Sequence, residues 1–192
     1  MDNPYRYIPS EDEFKKYHLK RARITIDWLK SFALEPPILE WSKRTPFTEM
    51  LEKEFGKIEN ISLDEPDDDY EYPKGHHYQT MFCFEVLNHM MNPFFVIKRI
   101  HGALATGGHL FVTCPDAPPF LFLRERRTFI DFKKREISNL LLRARYKFDI
   151  ETKPCTEMIP YFGIKPLMRY YLVKRHFIHA TPDWRKKDHW WE

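Results

Sequence analysis

The chain has 192 residues, 31% of them charged and 43% hydrophobic, with 31 basic against 28 acidic side chains and a net charge of +3. That is the size and balance of one globular domain with room for a real core, and too even a balance to argue for nucleic acid. No apolar run is long enough to span a bilayer, and MDNPYRYIPSEDEF lacks the pattern of a signal peptide, so a cytoplasmic protein is expected. Cys83, Cys114 and Cys155 are odd in number, and the first two fall inside predicted strands. Reduced thiols follow, and no spacing suggests zinc or another metal.

Ser10 and Glu13 have capping-box spacing. Phe14, Tyr17, Leu19, Ile24, Ile26, Trp28, Leu29 and Phe32 then predict a long helix with a broad apolar face. Lys15, Lys16, Lys20, Arg21 and Arg23 fall on its other surface, which reads as a solvated face. Pro36-Pro37 breaks this helix. Ile38-Leu39-Glu40-Trp41 is a short first strand. Thr45 and Pro46 suit the N-cap and first position of a helix over PFTEMLEKEF, ending near Gly56. IENISLD contains a second strand. Glu65 to Gly75 is acidic and loop-like, with at most a vestigial strand near Tyr70 to Tyr72.

The most informative stretch runs from Met81 to Pro115. MFCFEV is apolar almost throughout, as a strand covered on both faces must be. Asn92-Pro93 opens a helix on which Phe94, Phe95, Ile97, Ile100 and Leu104 recur at helical spacing. Gly107 and Gly108 are expected to stop that helix. HLFVTCP is the returning strand. Strand, helix and strand joined so closely form a right-handed crossover, which places Met81–Val86 and His109–Cys114 side by side and parallel. Beyond it come a Pro-rich loop from Asp116 to Phe122, an amphipathic helix over Asp131 to Arg145, a strand in KFDIETKPCT and a last strand in HFIHATP. The aromatic, charged tail Asp183 to Glu192 is expected to fold back onto the domain rather than expose three tryptophans.

Glu85-Val86-Leu87-Asn88-His89, Asn92-Pro93 and Ala105-Thr106-Gly107-Gly108-His109-Leu110 resemble one family. They are similar to the fourth-strand to fifth-strand unit of S-adenosylmethionine-dependent methyltransferases, in the small-molecule and sugar-modifying branch. The resemblance implies an α/β three-layer sandwich, a Rossmann-like fold with a trimmed, mostly parallel sheet and an antiparallel C-terminal hairpin. It implies one domain over 1–192, with an N-terminal helical segment at 1–35, a core at 37–182 and a tail at 183–192. It also implies S-adenosylmethionine as cofactor, a small-molecule or sugar-type acceptor and no nucleic acid. By this likeness the cofactor meets Glu40, Trp41, Lys43, Arg44, Thr45, Asp64, Phe84 and Glu85, with Asp64 on the ribose hydroxyls. Glu85 and His89 are the catalytic candidates, since a carboxylate or an imidazole can take a proton from the acceptor.

Two departures leave two functions open. The turn after the first strand, Trp41-Ser42-Lys43-Arg44-Thr45-Pro46, has no glycine where the family brings bare backbone against its ligand. Gln79 stands where an acid is common. Either the chain retains the cofactor, with Lys43, Arg44 or the amides at the helix start holding its carboxylate, or it is a pseudo-methyltransferase. In the second case the fold serves as a binding or scaffolding module, and a protein partner becomes an option.

Overall fold

The computed structural model describes residues 10–61, 78–116, 132–158 and 170–183. Among them, six strands form one sheet in the order β2-β1-β3-β4-β6-β5. They are β1 (Ile38–Glu40), β2 (Ile58–Asn60), β3 (Tyr78–Phe84), β4 (Leu104–Pro115), β5 (Tyr146–Met158) and β6 (Tyr170–Pro182). β2, β1, β3 and β4 run parallel, while β6 is antiparallel to both β4 and β5. This is the expected mostly parallel sheet with an antiparallel C-terminal pair.

Helices lie on both faces because the strands alternate. Leu39, Met81, Cys83, Leu110, Val112 and Ile178 are buried together with residues of α4 (Pro93–Ala103) and α5 (Lys134–Arg143). Their neighbours Ile38, Phe82, Phe84, Phe111 and Phe177 face the other way, against α2 (Leu19–Leu29) and α3 (Pro46–Phe55). Both faces of β3 are therefore covered, which is why MFCF carries no polar residue. All three cysteines are buried, and none forms a disulfide.

The helix ends follow the sequence closely. Ser10 Oγ accepts from the Glu13 amide, and Glu13 returns the bond to the Ser10 amide, so α1 (Glu11–Glu13) starts on a capping box. A π-helical turn, Phe14–His18, follows and leads into α2. The helix stops at Leu29, before Phe32, whose ring packs on Phe111 and His179 instead. Thr45 caps α3 with Pro46 at its first position, and Asn92 caps α4 through the Phe95 amide.

Several boundaries differ from expectation. α4 ends at Ala103, and Leu104 already pairs with Tyr78 in the sheet. Leu104 is an apolar residue that the core draws in. Gly107, at φ 82°, and Gly108 therefore shape an irregular entry to β4 instead of capping the helix. β3 begins at Tyr78 and closes at Phe84, so Glu85 lies beyond it. α5 is shorter than expected and β5 and β6 are longer, because each strand of that pair is held by the other over 13 register positions. The possible strand near Tyr70, the loop after Asp116 and the C-terminal tail lie outside the described residues.

Candidate ligand site at the carboxyl ends of the strands

β1 and β3 are parallel neighbours, and the chain leaves this pair toward β2 on one side and β4 on the other. Such a reversal opens a crevice beyond the carboxyl ends of the strands. Two acidic residues stand there, Glu40 at the end of β1 and Glu85 just after β3.

Glu40 is almost fully buried. Its Oε2 accepts from Thr48 Oγ1 at 2.6 Å and from Asn60 Nδ2 at 3.0 Å. Asn60 Nδ2 also reaches the Ser42 carbonyl at 3.2 Å, so one amide braces both the strand end and the turn. Burial raises the Glu40 carboxyl above the ordinary carboxylate range, although the bonds from Thr48, Asn60 and Ser42 act against it.

The turn after β1 is organised by its side chains. Trp41 is 2% exposed, its amide donates to the Phe82 carbonyl, and its ring belongs to the core around Leu39, Met81 and Leu87. Ser42 and Lys43 are partly buried. Arg44 is exposed and makes a two-pronged ion pair with Glu52 of α3. Thr45 Oγ1 accepts from the Phe47 and Thr48 amides at 3.2 and 3.4 Å, and Pro46 has no N–H. The first-turn amides of α3 are thus engaged by the chain's own cap.

Glu85 is the centre of the second half. It is a non-glycine residue at φ 58°, held there by its amide bond to the Thr113 carbonyl at 2.8 Å. Such a conformation is sparsely populated and concentrates at functional sites. The Glu85 Oε2 atom lies 3.6 Å from Arg21 Nη1 of α2 and 3.5 Å from Arg175 Nη1 of β6. Burial pushes the Glu85 carboxyl up, but Arg175 and Arg21, aided by Thr113 and His89, hold it below the usual carboxylate range. His18 lies beside this cluster. Its Nδ1 accepts from Arg21 Nη2 at 3.2 Å, which places its own proton on Nε2. Burial first, and Arg21 next, lower the His18 pKa to about 4, so the ring is neutral near pH 7.

After Glu85 the chain makes a 3₁₀ turn, Leu87–His89. Asn88 is buried, and its Nδ2 lies 3.3 Å from His89 Nε2. Two buried oxygens in this segment, Glu85 Oε1 and Asn88 Oδ1, have no hydrogen-bond partner among the described residues. Buried acceptors of this kind are uncommon and call for a donor. Phe84 is in the core, stacked on Phe82 at 5.0 Å. Asp64 lies outside the described residues.

Sequence reasoning found Glu40, Glu85 and His89 at this edge but missed His18, Arg21 and Arg175. Helical spacing groups Arg21 with its basic neighbours on a solvated face. Lys15, Lys16, Lys20 and Arg23 are exposed, whereas the Arg21 side chain is only 21% exposed and meets Glu85. For Arg175 the signal was a cation within a strand that buries its neighbours. Among the described residues no group of three or more His, Cys, Asp or Glu could hold a metal ion. No described helix is long and apolar enough to cross a membrane.

This architecture is the fold of S-adenosylmethionine-dependent methyltransferases. The N-methyltransferase NodS of Bradyrhizobium japonicum WM9, solved with S-adenosyl-L-homocysteine, superposes with a TM-score of 0.65 at 14% identity, covering 95% of this chain and 100% of that one. The [4+2]-cyclase SpnF gives 0.62 at 12% identity, covering 84% and 80%. The 1,6-didemethyltoxoflavin-N1-methyltransferase of Burkholderia thailandensis, with 1,6-didemethyltoxoflavin and S-adenosylhomocysteine bound, gives 0.55 at 12% identity, covering 86% and 80%. No family model matches the sequence, and no curated protein matches it.

Proposed function

We propose that the chain is a methyltransferase that uses S-adenosylmethionine to modify a small molecule or sugar-type acceptor. The observation that carries this reading is the pair of buried acceptors after β3, Glu85 Oε1 and Asn88 Oδ1. They lie at the crevice where ligands of such sheets bind, and they fit a ligand that presents N–H or O–H groups. Glu85 is the residue that orients the acceptor's amine or hydroxyl, with His89 nearby as the second proton-accepting candidate. Bound S-adenosylmethionine supplies an already activated methyl group, so alignment of the acceptor matters more than a strong base.

The fit to the cofactor is uneven. The β3 end suits its donor groups. The β1 turn does not offer a bare-backbone cradle, and among its cations Arg44 is committed to Glu52. Lys43 is the turn residue proposed to meet the methionine carboxylate, and Asp64 the residue for the ribose.

That unevenness favours a second reading, a pseudo-methyltransferase in which the fold binds a partner without cofactor. Its specific support is Glu40, whose Oε2 is bonded twice by the protein itself. Calorimetric titration with S-adenosylmethionine and S-adenosylhomocysteine separates the two. Saturable binding of both is expected, weakened by Lys43→Met. Absence of binding to the wild-type chain would overturn the first reading and favour the second.

A further inference from the structure

Two imidazoles meet toward the amino ends of the parallel strands, away from the candidate ligand site. His109 of β4 stands beside Thr80 of β3, and its Nδ1 lies 2.8 Å from Nε2 of His179 on β6. Both rings are half-buried. His179 stacks on Phe111 at 4.9 Å and 16°, and packs against the Phe32 ring at 4.7 Å. Phe32 in turn meets Phe111 at 5.0 Å and Trp28 at 5.5 Å. The last turn of α2 and the turn after it are thus fastened to the sheet partly through His179. A bond between two ring nitrogens needs one to donate and the other to accept. One added proton keeps the bond, because a charged ring still donates to a neutral neighbour. A second proton puts N–H groups on both facing atoms. The acceptor is then gone, and two positive charges stand in contact.

The charges around the pair do not cancel this. From β5, Asp149 stands opposite His179 and Lys147 opposite Thr181, and Lys147 is paired with Asp183 at 3.9 Å. Glu151, opposite Phe177, is paired with Lys153. Glu35 is exposed and reaches Thr80, the neighbour of His109, through its main chain. Trp28 and Phe32, which pack on this cluster, carry no charge; Asp27 and Lys30 are exposed, and Lys30 is bound to Glu54. Burial first, and His109 next, lower the His179 pKa, while Asp149 raises it. Asp149 is thus the one described acid acting on His179, which balances one added proton and leaves the second unbalanced. We infer that His109 and His179 form an acid-sensitive latch, which fastens the end of α2 to the sheet until both rings are charged and then releases it. The same helix carries Arg21 to within 3.6 Å of Glu85, so the latch also bears on the candidate ligand site. It holds whether or not the chain binds a cofactor.

The test is amide hydrogen exchange on the full chain from about pH 7.5 to about pH 5, expressed as protection relative to the unfolded chain. The reporters are the Lys30, Ser31 and Phe32 amides, which bond to the carbonyls of Ile26, Trp28 and Leu29. Their protection should fall about tenfold over this range, while that of Ile97 and Ile100 in α4 holds. His109→Asn puts an uncharged acceptor at the place of Nδ1, one that a charged His179 can still reach, so it should abolish the fall. Imidazole nitrogen resonances of the wild type should show two separate proton uptakes, with the loss of protection following the second. Unchanged protection at Phe32 would overturn the inference, as would an equal fall in His109→Asn or a fall shared by Ile97 and Ile100. If His109→Asn does not fold, the wild-type titration still decides, because a loss of protection that follows the first uptake contradicts the latch. No methyl donor enters the experiment, so it and the methyltransferase reading can fail separately.

Discussion

Thr48 Oγ1 donates to Glu40 Oε2 across 2.6 Å, joining the first turn of α3 to the end of β1. Both groups are buried, so the bond is made without competition from water. It replaces, at this turn, the tight backbone geometry that glycines would provide. The turn is consequently a braced structural element, with Asn60 as its second strut.

Breaking that brace should cost stability. Thr48→Val keeps the shape and removes the donor, leaving a buried oxygen short of a partner. A loss of about 1–3 kcal/mol is expected in urea denaturation. Glu40→Gln keeps an acceptor for Thr48 and removes the buried acid. The raised Glu40 pKa gives stability that is full below the unfolded value and lost as pH rises through the folded one. Glu40→Gln should therefore gain on the wild type above about pH 4.5, and a curve falling equally in both proteins would refute the assignment.

Glu85 and His18 act at the acid end with the opposite sign. The lowered Glu85 pKa contributes stability present above the unfolded value of 4.5 and lost as pH falls through the folded one. The lowered His18 pKa contributes stability present above the unfolded value of 6.5 and lost as pH falls to about 4. The melting temperature should fall in two stages on acidification. Burial also lowers the pKa of His176 and His179, so His18→Gln should shrink the stage between pH 6.5 and 4 without abolishing it and leave the lower one, which Glu85→Gln should flatten.

Trp41 is a stability residue. Its ring is 2% exposed in the core, so shortening it empties a cavity and opens no binding cleft. Trp41→Ala should cost about 3–5 kcal/mol. Improved binding of S-adenosylhomocysteine by a folded Trp41→Ala protein would contradict this placement.

The glycines give a paired control. A Cβ at Gly108 would stand 3.0 Å from the carbonyl oxygens of Ala105 and Tyr78 and 3.2 Å from that of Gln79. Backbone cannot yield as a side chain can, so Gly108→Ala should destabilise by about 1–3 kcal/mol. Gly102 lies in α4 with nothing within 4 Å of its Cβ position. Gly102→Ala should stabilise by about 0.5–1 kcal/mol through helix propensity. Chemical denaturation of the two variants side by side checks both.

Much of the fold was legible because its signals are local. The caps at Ser10, Thr45 and Asn92 depend on residues within three positions, and the apolar run MFCF reports a strand covered on both faces wherever it packs. The crossover from β3 to β4 followed from those elements and the handedness of their connection. The glycines at 107 and 108 misled because a glycine's conformation is a backbone permission, used here by a strand entry and not by a helix end.

The parallel pair β3–β4, the helices beside it and the two acids at the strand ends, Glu40 and Glu85, are thus readable from residue order alone. What surrounds those acids depends on packing. Arg21, Glu85 and Arg175 are separated by 64 and 90 positions, and no periodicity links a helix face, a turn and an edge of β6. They meet because α2 packs across the sheet and β6 returns antiparallel to β4, bringing Arg175 opposite Pro115 at the carboxyl end. Charge in a sequence has no address, and it acquires a partner only when packing removes the water that would otherwise satisfy it.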